Sequence, residues 1–171
     1  MIKVGRGSKI YPTAKILTKN RRIIIGRNCL IGDFAVVAPR NLIMHNGAQI
    51  NPCAFLSGGG DIILGKRSVV GYGVILIPAT DRPEGKYMCE SVPEKERFLL
   101  RGTIEICEGA YIGSNAVICV SPKCPNIKIG KFSVVGALSY IDRSIPSYTI
   151  VHPKVELVMK RRVMKNIAKK T

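Results

Sequence analysis

The chain has 171 residues, 46% of them apolar, no Trp and a formal net charge of +16. That length fits one domain with a sizeable core, and no apolar run approaches the roughly 20 residues of a membrane span. The charge first suggests nucleic acid, an acidic surface or a multiply phosphorylated small molecule, but no aromatic-interleaved RNA motif accompanies it.

Residues 1–24 are a basic, irregular start, with residues 8–16 reading as an imperfect first coil and residues 19–22 as a basic corner. From Ile25 a beat of six sets in. It runs Ile25-Gly26-Arg27-Asn28-Cys29-Leu30, then Ile31-Gly32-Asp33-Phe34-Ala35-Val36, then Val37. A less regular six starts at Ile43, with one extra residue before Ile50, and Leu56 continues the beat. Ser57-Gly58-Gly59-Gly60-Asp61 is read as a flexible corner, not a dinucleotide fingerprint, because no strand–turn–helix surrounds it. The pattern returns at Leu64 and Val70 and closes with a strand from Leu76 to Asp81.

Residues 82–101 break the beat, with two Pro and mixed charge. An insertion in a repeat array must loop outside the stack, often on a binding face. The beat then resumes most clearly: Ile106-Cys107-Glu108-Gly109-Ala110-Tyr111, Ile112-Gly113-Ser114-Asn115-Ala116-Val117, Ile118, and again from Ile129, Val135 and Ile141. This is a hexapeptide repeat, one signature of a parallel β-helix. Each six supplies a short strand and a corner. Its first residue points inward, its fifth lies under the next turn, and Gly serves corners that need unusual backbone angles. Three sixes close one triangular coil, and coils stack about 4.8 Å apart.

After an extended exit at residues 144–151, the sequence predicts a helix over 152–171. Pro153 suits its first turn, and Val155, Met159, Val163 and Ile167 fall at i+4 spacing. The expected organisation is a β-helix domain at 1–151, with an insertion loop at 82–101, and a C-terminal helix at 152–171. Residues 154–171 carry seven Lys or Arg against one Glu. The six cysteines include no CxxC pair, and neither His sits at zinc-site spacing, so no metal site is expected and the thiols read as buried in a reducing cytosol.

In these residues the chain resembles the left-handed β-helix, hexapeptide-repeat acyltransferases. The resemblance runs from about Ile10 to Arg162. It rests on the repeat, on Val134-Val135-Gly136-Ala137-Leu138-Ser139 followed by residues 145–151 and Pro153-Lys154, and on Thr80-Asp81 followed by Gly85, Met88, Val92-Pro93-Glu94-Lys95 and Gly102. That loop is similar to a subgroup acting on nucleotide-linked or lipopolysaccharide sugars. The resemblance implies left-handed winding, a homotrimer with sites between adjacent subunits, and an acetyltransferase, while the thiols point to the cytoplasm. Acetyl-CoA would be the donor and a sugar the acceptor, most simply the amino group of a nucleotide-linked amino-dideoxy sugar made for surface glycan.

The family's O-acetyltransferases carry a catalytic His where this chain has Asp81. Its closing Gly-x-Pro-Ala-Lys is here Val151-His152-Pro153-Lys154. Thioesters react readily with amines, so an amine acceptor asks less of a base than a hydroxyl does, and positioning supplies much of the rate. Asp81 is the first catalytic candidate, as a carboxylate that orients an ammonium and takes its proton. The alternative is a turn-forming Asp. His45, at the third place of its six, is the second catalytic candidate against a solvated surface His. Glu84, Tyr87 and Glu90 are candidates for the acceptor. Gly113, Ser114 and Ala137 are candidates for pantetheine, and Lys154, Lys160 and Arg161 for the phosphates of CoA. The rival readings are saccharide O-acetylation with His45 as base, a non-catalytic scaffold, and a nucleic-acid binder suggested by charge alone.

Overall fold

The computed structural model describes residues 1–154. Apart from one antiparallel pair, its strands fall into three parallel sheets that form the faces of a solenoid. The first face stacks Ile2–Val4, Arg22–Ile25, Asn41–Met44, Asp61–Leu64, Thr103–Ile106 and Asn126–Ile129. The second stacks Lys9–Ile10, Leu30–Ile31, Gln49–Ile50, Val69–Val70, Tyr111–Ile112, Val134–Val135 and Ile150–Val151. The third stacks Lys15–Ile16, Val36–Val37, Phe55–Leu56, Ile75–Ile77, Val117–Cys119 and Tyr140–Ile141. The chain visits the faces in that order on every coil. The first, second and third edges are therefore the corners that follow the first, second and third face.

Inward aliphatic residues sit directly above one another. On the first face Ile25, Met44, Leu64, Ile106 and Ile129 are register partners, and all are buried. Ile31, Ile50, Val70, Ile112 and Val135 do the same on the second, and Val37, Leu56, Leu76, Ile118 and Ile141 on the third. Each such side chain is worth about 1.5–3 kcal/mol of burial. The fifth place is mostly small, with Ala35, Ala48, Ala54, Ala110 and Ala116 fully buried, and it is Val74 in one six. Where it is Ser, the hydroxyl is satisfied by a carbonyl: Ser68 donates to Gly65 O at 2.9 Å and Ser133 to Pro146 O at 2.6 Å.

Four expectations need correction. First-face strands hold two inward residues, such as Leu42 and Met44, so the six begins at Met44 and Ile43 faces out. The extra residue before Ile50 disappears in that register, and His45 occupies the second place, not the third. The second correction concerns glycine. The left-handed backbone falls at the fourth place, and mostly on other residues: Asn28, Phe34, Cys53, Arg67, Asn115, Phe132 and Leu138 have φ between 53° and 62°. The second-place Gly is needed for room instead. A Cβ on Gly65 would lie 2.5 Å from Glu108 N, and one on Gly113 2.5 Å from Ala137 N. Third, only Cys29 and Cys107 of the six free thiols are buried. Fourth, the insertion begins before residue 82. Ala79–Asp81 pairs antiparallel with Leu99–Arg101, and Gly102 N–H donates to Pro78 O at 2.8 Å. Stacking is uninterrupted, since Asp61–Leu64 pairs with Thr103–Ile106 across the excursion.

The helix expected at 152–171, with Lys160 and Arg161, lies outside the described residues beyond Lys154. Among the described residues no helix is long and apolar enough to cross a membrane.

Two tests follow from the stacking. Gly32→Ala places a Cβ 2.5 Å from Pro52 Cδ and should lower stability by about 1–3 kcal/mol in urea unfolding. Phe34→Gly, at an exposed position with φ 58°, should change it by less than about 1 kcal/mol. At the third edge Asp61 accepts from Arg40 Nε and Nη2 at 3.0 and 2.9 Å and from Asn41 Nδ2 at 2.8 Å. The Arg40 hydrogen bonds hold its carboxyl below the ordinary value against the opposing cost of burial. Its contribution is therefore complete above the unfolded pKa of about 3.9 and lost as pH falls through the lowered folded value. Melting temperatures of the wild type and Asp61→Asn should differ at neutral pH and converge in acid.

Candidate functional site

The insertion folds back on the third edge and makes a cleft there. Its ladder of Ala79–Asp81 and Leu99–Arg101 is tied across by Arg82 N–H to Phe98 O at 2.8 Å. Arg82 also stacks on Phe98, 4.2 Å from the ring centroid, and its Nη2 meets Glu84 at 3.2 Å. The turn Glu94–Glu96 brings Glu94 to Arg101 at 2.8 Å, and Arg101 donates a second hydrogen bond to Gly59 O at 2.5 Å. These contacts fasten the loop to the glycine corner, which is packed against Pro78 and Gly102.

Asp81 lies inside this cleft. Arg97 grips it with two parallel hydrogen bonds, Nε to Oδ1 at 2.9 Å and Nη2 to Oδ2 at 2.6 Å. The two side chains are only 10% and 12% exposed. A forked guanidinium–carboxylate pair is strong and directional. The Asp81 hydrogen bond raises the Arg97 pKa further. Each Asp81 oxygen still has a lone pair to offer, so the group can accept one more N–H.

The cleft is about 330 Å³ and is lined by Asp81, Glu90, Glu94, Arg97 and Arg101 from the loop side, with Arg21, Ser57, Gly58 and Gly59 opposite. Of the three loop residues expected to meet an acceptor, Glu90 lines it. Glu84 is turned to Arg82, and Tyr87 bridges to Arg97 with Lys86 Nζ 4.9 Å from its ring.

The other expected residues stand elsewhere. Gly113, Ser114 and Ala137 stack on the second edge, where Leu138 N–H donates to Ser114 O at 3.0 Å. His152 packs on Gly136 of the same edge, and exposed Lys154 follows it. His45 is exposed on the first edge, where its N–H donates to Leu64 O at 2.8 Å and its carbonyl accepts from the Cys29 thiol. One chain thus holds Asp81, His45 and the Gly113 row at three different corners.

Sequence reasoning missed Arg97, Arg101, Glu94, Arg21 and Arg40. The basic corner at residues 19–22 was a partial signal, since Arg21 and Arg40 sit one coil apart on the third edge. Nothing in the spacing marked Arg97 as the partner of Asp81.

No family model matches the chain. In sequence it is similar to the bifunctional protein GlmU of Thermotoga maritima, 24% identical over 93% of this chain and 40% of that protein. GlmU of Carboxydothermus hydrogenoformans is 27% identical over 95% of this chain and 37% of its own length. The chain therefore spans well under half of these curated relatives. Among solved structures it is similar to AntD, an N-acyltransferase from Bacillus cereus in complex with dTDP and 3-hydroxybutyryl-CoA. The TM-score is 0.76 at 23% identity, covering 88% of this chain and 77% of that one. A variant of AntD in complex with dTDP-4-amino-4,6-dideoxyglucose and coenzyme A gives 0.79 at 23% identity, over 94% and 83%. A hexapeptide-repeat-containing acetyltransferase of Vibrio cholerae gives 0.53 at 21% identity, over 88% and 68%. The chain shares the fold of these hexapeptide-repeat acyltransferases.

Proposed function

We propose that this chain is an acetyl-CoA-dependent N-acetyltransferase whose acceptor is the amino group of a nucleotide-linked amino-dideoxy sugar. It is wound left-handed, as the resemblance implies, and works as a homotrimer. One observation carries the reading: an acid-and-arginine cleft on the third edge and a row of small residues on the second edge flank a face that is apolar outside. Val36, Phe55, Ile75, Val117 and Tyr140 form one register ladder along that face, with Phe55, Ile75 and Tyr140 exposed. A contiguous exposed apolar stripe marks a surface meant for a partner. In a cyclic assembly the third edge of one copy faces the second edge of the next, so donor and acceptor rows meet only between copies. AntD, with the same fold, binds both dTDP-4-amino-4,6-dideoxyglucose and coenzyme A, which supports that pairing of ligands.

Pantetheine would lie along the second edge, over exposed Ala137 and half-buried Ser114, beside the buried Gly113 that lets the coils close up there. Lys154, with Lys160 and Arg161 beyond it, would meet the phosphates. The sugar would enter the third-edge cleft with its nitrogen toward Asp81. The sugar amine, once its ammonium form has given a proton to solvent, adds to the thioester carbonyl carbon, and the carbonyl electron pair moves to oxygen, where a backbone N–H stabilises it. Asp81 accepts an N–H from the attacking nitrogen, fixes its direction and opposes the positive charge that grows there. Collapse restores the carbonyl and breaks the C–S bond. The proton lost from nitrogen ends on the departing thiolate. Arg97 holds Asp81 in one rotamer while this happens. The donor places the reaction in the cytoplasm, and the acetylated nucleotide sugar would feed surface-glycan synthesis. His45 could serve only from another copy, as the base of a hydroxyl acceptor.

Three outcomes test this. Thiol release from acetyl-CoA should depend on a nucleotide amino sugar and fall at least about 100-fold with the hydroxyl counterpart; no turnover with either rejects the reading. Asp81→Asn should lower kcat/KM about 100-fold or more, whereas His45→Ala should leave it unchanged. Sedimentation should give three times the chain mass, and a charged residue at Phe55 should shift it toward the monomer.

A further inference from the structure

The third-edge cleft continues past Gly59 into a second cavity of about 680 Å³, and the two share Arg21, Gly59 and Arg101. Their charges differ sharply. The larger cavity is lined by Lys19, Arg21, Arg40 and Arg101 with Ile16, Leu17, Thr18, Asn20 and Gly59, and among the described residues no acidic side chain lines it. The smaller sets Asp81, Glu90 and Glu94 against Arg21, Arg97 and Arg101. The cations come from successive coils and from the loop, so the fold gathers them from distant parts of the sequence.

Their existing contacts leave capacity for a ligand. Arg40 is paired with Asp61 at 2.9 Å and Arg101 with Glu94 at 2.8 Å, while Arg21 donates to Ala38 O. A guanidinium has five N–H donors, so each retains free ones. Lys19 is exposed and makes no ion pair among the described residues.

We propose that this bipolar trough holds the acceptor lengthwise and fixes its direction. The diphosphate of the nucleotide occupies the cationic compartment of Lys19, Arg21, Arg40 and Arg101, and the amino sugar occupies the compartment of Asp81, Glu90 and Glu94. Arginines pair phosphate oxygens in planar, bidentate fashion. An ammonium on the sugar is drawn to the carboxylates and repelled from the other end. The reversed pose would set the ammonium against four cations with no carboxylate among the described residues lining that compartment, and the diphosphate beside three carboxylates, two of which already occupy Arg97 and Arg101. The polarity therefore delivers the sugar nitrogen to the end of the trough where the inserted loop stands. This rests on the acceptor class proposed above and adds the site and orientation.

The test is calorimetric titration of the full chain with thymidine diphosphate, inorganic pyrophosphate and thymidine, alongside acetyl-transfer kinetics. Thymidine diphosphate should bind, pyrophosphate should compete with it, and thymidine should be far weaker. Lys19→Gln and Arg40→Gln should each weaken thymidine diphosphate about tenfold and flatten its salt dependence. The Lys19 variant alters an exposed side chain and keeps the test independent of folding. Glu90→Gln should leave thymidine diphosphate affinity unchanged and reduce the preference for an amino sugar nucleotide over its hydroxyl counterpart severalfold. Unchanged thymidine diphosphate affinity in both cation variants overturns the proposal. Acetyl transfer with unaltered acceptor KM in those variants rejects the trough while leaving the transferase reading intact. Cation-dependent diphosphate binding without any acetyl transfer does the reverse.

Discussion

The spacing of about 4.8 Å between hydrogen-bonded coils governs this molecule. Every residue at a given place must coexist with the residue one coil above and one coil below. That is why second-place glycines such as Gly65 and Gly113 lie against neighbouring backbone nitrogens at distances no Cβ could share. It is also why the fifth place is mostly Ala, Ser or Cys, with Val74 the larger exception, and why the inward ladders are apolar. The corners turn through left-handed residues at the fourth place, where the side chain points to solvent and any type is accepted, from Asn115 to Leu138. A stack built this way is rigid, and its chemistry has to be mounted on the outside.

The third edge is where that mounting happens. The chain leaves the stack after Pro78, folds a short antiparallel ladder and re-enters at Gly102 without disturbing the pairing of Asp61–Leu64 with Thr103–Ile106. The loop is held by ion pairs more than by a core of its own. Arg97 with Asp81 and Arg101 with Glu94 fix its inner strand and its turn, and Arg82 on Phe98 closes its mouth. Arg21 and Arg40 project from the coils on the opposite side of the same edge. Part of the large positive charge of the chain is thereby focused on one trough.

How much of this was legible depended on whether the signal was periodic. The sixes at Ile25, Ile31, Ile106, Ile112, Ile129 and Val135 predicted inward residues that are buried, because a stacked coil repeats its demands at fixed spacing. The reading slipped at Ile43 and Met44, where both residues are apolar and only the pairing of Asn41–Met44 with its neighbours decides which points in. Fourth-place glycines such as Gly47, Gly73 and Gly109 take the expected positive φ, but second-place glycines have ordinary torsions and are there because their neighbours are close. Asp81 was singled out through the resemblance, since it stands where that family's O-acetyltransferases carry a catalytic His. Its partner Arg97 was not, because a non-periodic loop carries no rule that pairs residues so far apart along the chain.

The central claim is that one active site is assembled from the third edge of one copy and the second edge of the next. Subunit mixing tests it directly. Asp81→Asn disables the acceptor side, and a bulky Ala137→Trp blocks the donor side. If each site draws on two copies, unfolding and refolding the two variants together at equal amounts should restore about a quarter of wild-type activity, the share of interfaces that receive both intact edges in a cyclic trimer. A mixture that stays as inactive as its components would contradict the account.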